Sequence, residues 1–128
     1  MSYPRIQTWI VVLFGLLAMA LLASCTELGV TDRDCRPGER CECKTAGSCT
    51  LTCTGRGCDF RCSGAGSCSL FCEQGGCRAE AAGQGSAELE CPGGSCELTC
   101  SNAGSCELVD CPGNCNLVCH NAGTCTGG

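Results

Sequence analysis

From residue 49 onward the chain repeats with steps that alternate strictly between nine and ten residues, starting at Cys49, Cys58, Cys68, Cys77, Ala87, Cys96, Cys106, Cys115 and Cys125. The unit is therefore 19 residues long, built from two similar halves. A fixed period of this size restricts the chain to stacked, nearly identical small units. Each half carries a five-residue segment such as Cys49-Thr50-Leu51-Thr52-Cys53 or Cys96-Glu97-Leu98-Thr99-Cys100. Cysteine, leucine and cysteine take alternate places with mostly polar residues between them, the period of a strand buried on one face. Turns of four residues (54–57, 73–76, 92–95) alternate with turns of five (44–48, 63–67, 82–86, 101–105, 120–124). The longer turns have glycine at their fourth place, Gly47, Gly66, Gly85, Gly104 and Gly123, which suggests a backbone that needs positive φ there.

Two strands and two turns per 19 residues predict an all-β, disulfide-stapled β-solenoid whose coils stack as parallel strands. Residues 49–124 supply four such coils. Stacking at 19 places Asp59, Arg78 and Glu97 in one outward column and Arg61 and Glu80 in its neighbour, and opposite charges on adjacent strands stabilise a sheet. An antiparallel hairpin meander is the alternative, because connections of four and five residues also close hairpins. It leaves a cysteine-lined face uncovered, whereas the solenoid encloses that face.

Ahead of the repeat, Arg5 is the only charge in the first 24 residues and an apolar run extends from Trp9 to Ala23. A charged start, an apolar middle and a small-residue exit make a secretory signal, and the run is shorter than the roughly 20 residues that span a bilayer. Leu22-Ala23-Ser24-Cys25 at its end resembles the lipobox of bacterial lipoproteins. That resemblance implies that Cys25 becomes the acylated first residue of the mature chain, and Thr26 after it points to the outer membrane. The expected organisation is a helical signal segment over 1–24, a lipidated N-terminus and flexible tether over 25–38, and a cysteine-rich repeat domain over 39–128.

Of 19 cysteines, eighteen remain once Cys25 carries lipid, and an even number in an exported chain reads as a disulfide framework. Between Cys43 and Cys125 the repeat places that should be cysteine and are alanine are Ala81 and Ala87, the two ends of one five-residue turn. Their joint loss is the loss of one bridge. It implies the equivalent bridges Cys43–Cys49, Cys62–Cys68, Cys100–Cys106 and Cys119–Cys125. The short turns are then closed by Cys53–Cys58, Cys72–Cys77, Cys91–Cys96 and Cys111–Cys115, and Cys35 is left for Cys41. Phe60 and Phe71 are the only aromatic residues after residue 24, so staples are expected to substitute for a large core.

Little else in the sequence carries chemistry. Residues 79–128 hold six carboxylates and no Lys or Arg, which disfavours nucleic acid. The single histidine, His120, falls in a turn, and the serines at turn ends recur with the repeat, so no catalytic residues are assigned. Cys41-Glu42-Cys43 has a chelating spacing, but the regular steps do not set cysteines in groups of four. Glu88, Glu90 and Glu107 match no calcium loop. The coils are similar in part to disulfide-stapled insect antifreeze proteins, although the outward columns Thr50, Ser69, Glu88, Glu107 and Thr52, Phe71, Glu90, Val109 lack a threonine ladder. Residues 39–128 more nearly resemble cysteine-rich repeat lipoproteins of Gram-negative bacteria, a likeness that supplies no site.

The expected function is that of a non-enzymatic, cofactor-free structural or interaction lipoprotein of the bacterial cell envelope, contacting an envelope protein or glycan. The alternative is a metal-binding or thiol redox-buffering lipoprotein. Replacing Cys25 by alanine is expected to move the protein from the detergent phase to the aqueous phase on detergent partitioning, and continued membrane attachment of Cys25→Ala would refute the anchor.

Overall fold

A computed structural model describes residues 31–127 apart from residues 45 and 65; the expected signal segment and Cys25 lie outside the described residues. The strands are β1 (Thr31–Cys35), β2 (Arg40–Cys43), β3 (Ser48–Cys53), β4 (Asp59–Ser63), β5 (Ser67–Phe71), β6 (Arg78–Ala82), β7 (Ser86–Glu90), β8 (Glu97–Ser101), β9 (Ser105–Val109), β10 (Asn116–His120) and β11 (Thr124–Gly127). Odd-numbered strands form one six-stranded sheet and even-numbered strands a five-stranded one, each in sequence order. Every pairing is parallel. A meander would pair successive strands antiparallel, so the chain is a β-solenoid, with five coils and a further strand.

Register follows the repeat. Cys49 lies opposite Cys68, and Leu51, Leu70, Leu89 and Leu108 lie on one another through the six-stranded sheet. Facing them, the five-stranded sheet stacks Phe60, Ala79 and Leu98, all fully buried. Each larger apolar side chain contributes about 1.5–3 kcal/mol by leaving water. Half-cystines flank this narrow seam on both sides and complete the core.

The solenoid begins earlier than the repeat does. Residues 31–35, expected to be flexible tether, form β1 and pair in parallel with β3. Periodicity missed this strand because its register is 18 residues, not 19, and because Thr31 and Arg33 stand opposite Cys49 and Leu51. Arg33 reaches Glu39 at 2.8 Å, and the Glu39 carboxylate also accepts the Arg36 N–H at 3.0 Å. Among the described strands β1 is the edge of its sheet, and Arg33 is exposed there.

The turn glycines serve a different purpose from the one expected. Positive φ falls at the second place of the long turns, at Gly64 (137°), Gly83 (74°), Asn102 (54°) and Asn121 (53°). The fourth-place glycines are there because successive turns touch. A Cβ on Gly66 would lie 1.6 Å from the Gly47 carbonyl oxygen, and one on Gly123 would lie 2.5 Å from that of Gly104.

Where Ala81 and Ala87 replace a bridge, a second substitution accompanies the first. The third place of the long turns is Ala46, Ala65, Ala103 and Ala122 in the other coils but Gln84 in this one. Gln84 is buried, 5% exposed, so its side chain occupies the interior at the level where the disulfide is lost. Its Oε1 is buried with no hydrogen-bond partner among the described residues, a costly arrangement. The triple variant Ala81→Cys, Gln84→Ala, Ala87→Cys is expected to form a further bridge and gain about 2 kcal/mol from loop closure, read as a raised thermal midpoint with no free thiol on alkylation.

Candidate functional site

The structure closes nine bridges: Cys35–Cys41, Cys43–Cys49, Cys53–Cys58, Cys62–Cys68, Cys72–Cys77, Cys91–Cys96, Cys100–Cys106, Cys111–Cys115 and Cys119–Cys125. Their Cα separations run from 5.9 to 6.7 Å, a span that a disulfide covers without moving the backbone. Alternating four- and five-residue turns send them to opposite edges of the solenoid. The long-turn edge has a gap at Ala81 and Ala87. The short-turn edge is continuous from Cys53–Cys58 to Cys111–Cys115.

On that edge the sulfurs of successive coils approach one another. Cys53, Cys72 and Cys77 form a triad whose Sγ atoms lie within 4.8 Å of one another, and so do Cys72, Cys91 and Cys96, and Cys91, Cys111 and Cys115. Each triad is one half-cystine of a coil and both of the next. The first coil differs: Cys35 lies opposite Cys53, but Cys41 lies opposite Phe60, and neither belongs to a triad among the described residues. The two inner triads are fully buried, whereas Cys111 and Cys115 are half-buried near the C-terminal end of the described residues. There the Cys96 N–H donates to Cys115 Sγ at 3.3 Å.

A zinc-bound or copper-bound thiolate sits about 2.3 Å from the ion, which sets neighbouring sulfurs roughly 4 Å apart. Two sulfurs of each triad are bonded to one another, so reduction must let that pair move apart by about 2 Å while the third sulfur closes by under about 1 Å to reach that spacing, and sulfur is the donor that soft ions select. The Cys41-Glu42-Cys43 spacing does not make a cluster: among the described residues neither cysteine belongs to a triad. Residues 19 apart bring sulfurs together instead, a juxtaposition that follows only once parallel coils are assumed. Glu88 and Glu107 face each other in register on the outer face. His120 is exposed at the end of β10, opposite Ser101.

The outer face of the five-stranded sheet is a chequerboard of charge. Arg40, Asp59, Arg78 and Glu97 stack in one column and Glu42, Arg61 and Glu80 in the next. Arg40–Asp59 closes at 2.8 Å and Arg78–Glu97 at 3.2 Å, and Arg61 pairs with Glu80. Such exposed pairs contribute a few tenths of a kcal/mol each, up to about 1.

No protein-family model, curated protein or solved structure matches the chain. Among the described residues no helix is long and apolar enough to cross a membrane. The domain is a disulfide-rich structural unit.

The Glu39 carboxyl is held below its ordinary value of 4.5, first by the Arg36 N–H and then by the Arg33 charge. A depressed carboxyl stabilises the fold above its unfolded value and loses that contribution as pH falls through the folded one. Glu39→Gln is expected to lower the denaturation midpoint at pH 7, and its difference from the parent protein should shrink once pH falls below about 4.5 and vanish below the depressed folded value. Denaturant titrations at both ends of that range check this.

Proposed function

We propose that the chain is a thiol–disulfide store at the bacterial cell envelope, tethered through a lipid on Cys25, whose short-turn sulfur column binds soft metal ions when its bridges are reduced. The observation that carries this reading is the set of stacked Sγ triads within 4.8 Å. Opening each bridge takes up two electrons and two protons and yields two thiols, and each thiol that ligates an ion releases its proton. Cys72 and Cys91 belong to two triads each, so one sulfur can serve two ions. Reduction removes the staples on which the coils depend, and an ion held by sulfurs of consecutive coils replaces them. The reading assigns no catalytic role to His120 or to the turn serines.

A second reading keeps the bridges closed and makes the protein a structural or interaction lipoprotein that contacts an envelope protein or glycan. Burial of the inner bridges favours it.

Cadmium uptake by the partly reduced full-length protein separates the two. The first reading expects a cadmium–thiolate absorption band, protection of the ligating cysteines from alkylation, and recovery of the β-sheet dichroism. Cys72→Ser/Cys77→Ser removes two of the three triads and is expected to cut uptake to about a third by that count, while Cys62→Ser/Cys68→Ser on the long-turn edge leaves it unchanged. Absence of cadmium binding by the reduced parent protein would leave the structural reading.

A further inference from the structure

The triads have a direction that metal binding does not use. Each joins the first cysteine of one short turn to both cysteines of the next: Cys53 to Cys72 and Cys77, Cys72 to Cys91 and Cys96, and Cys91 to Cys111 and Cys115. A sulfur lying within 4.8 Å of a neighbouring S–S bond is placed for thiol–disulfide exchange, in which a thiolate attacks one sulfur of a disulfide and displaces the other. We propose that the short-turn column passes thiol–disulfide exchange from coil to coil, between the half-buried Cys111–Cys115 bridge and the buried bridges inside, with a small external thiol as reductant.

The steps balance. The external thiolate attacks Cys111 Sγ, a mixed disulfide forms, the Cys111–Cys115 bond breaks, and Cys115 leaves as the thiolate that faces the Cys96 N–H. Cys115 attacks Cys91, forming Cys91–Cys115 and releasing Cys96 with the electron pair. Cys96 attacks Cys72 and releases Cys77; Cys77 attacks Cys53 and releases Cys58. Every internal step makes one S–S bond and breaks one, so a single thiolate travels inward without net redox change. Starting from Cys53, attack on Cys77 frees Cys72, attack on Cys96 frees Cys91, and attack on Cys115 frees Cys111, which carries the thiolate outward. The run of triads ends at Cys53–Cys58: Cys35 lies opposite Cys53, but Cys41 lies opposite Phe60 and neither belongs to a triad among the described residues. On the other edge Ala81 and Ala87 interrupt any such sequence.

The inference rests on the column being openable, as does the proposed function, but it needs no metal. Exchange without cadmium uptake would overturn metal binding alone, and uptake without exchange would overturn only the relay.

Full-length protein is treated with less than one equivalent of glutathione, quenched in acid, alkylated and mapped without reduction. The expected products are the inter-coil bridges Cys91–Cys115, Cys72–Cys96 and Cys53–Cys77, forming about tenfold faster per pH unit below the ordinary thiol value near 8.5. Free thiols confined to Cys111 and Cys115, with all other pairs unchanged, would overturn the proposal. A second arm supplies the thiol by mutation. Cys58→Ser leaves Cys53 unpaired, and alkylation is expected at Cys72, Cys91 and Cys111 as well as at Cys53. Cys53→Ser leaves Cys58, which belongs to none of the triads, and label should stay there. Label fixed on Cys53 in a folded Cys58→Ser protein would also refute exchange; if the variants do not fold, the unmutated protein decides alone.

Discussion

Covalent closure of all but one of the turns between the described strands is the constraint on which the rest of this molecule depends. A coil supplies about one leucine-sized side chain per strand to its interior, too little apolar surface to offset the entropy of ordering its residues unaided. Short rings at both edges restrict the unfolded chain and, in the same stroke, fill the interior with sulfur. Leu51, Leu70, Leu89 and Leu108 then need only occupy the seam between two sulfur columns. Where one closure is missing, the chain answers with Gln84 in the interior, volume in place of a bond.

Stacking supplies the second constraint, and it acts through backbone rather than side chains. Turn carbonyls of one coil accept N–H groups of the next, as Gly85 N–H to Gly66 oxygen at 2.9 Å and Gly123 N–H to Ala103 oxygen at 3.0 Å. At that spacing a methyl group has no room, which is why glycine holds the same place in turn after turn.

The sequence displayed the coil length, the strand centres and the inward face openly, since cysteine and leucine mark alternate places in almost every strand. The paired alanines at 81 and 87 made the bridging scheme readable, because a lost bond removes two residues together. β1 was hidden for a physical reason: among the described strands it pairs with β3 alone, and Arg33 stands where Leu51 stands in the next coil, so the pattern that defines the other strands is absent from it. The fourth-place glycines were visible but open to two explanations, torsional freedom or close approach, and only the separation between turns distinguishes them. Sulfur triads depend on contacts between residues a full coil apart, so they emerge from the fold and not from any local spacing.

The chequerboard on the five-stranded sheet limits how such a protein can change length. Arg40, Asp59, Arg78 and Glu97 alternate in sign from coil to coil, so the electrostatic pattern repeats only after two coils, although the backbone repeats after one. Duplicating a single coil would set like charges on adjacent strands, while duplicating a pair would keep the signs alternating in these columns. Growth or shrinkage of this solenoid by recombination is therefore favoured in even steps, a parity rule written in charge on a scaffold that is otherwise indifferent to it.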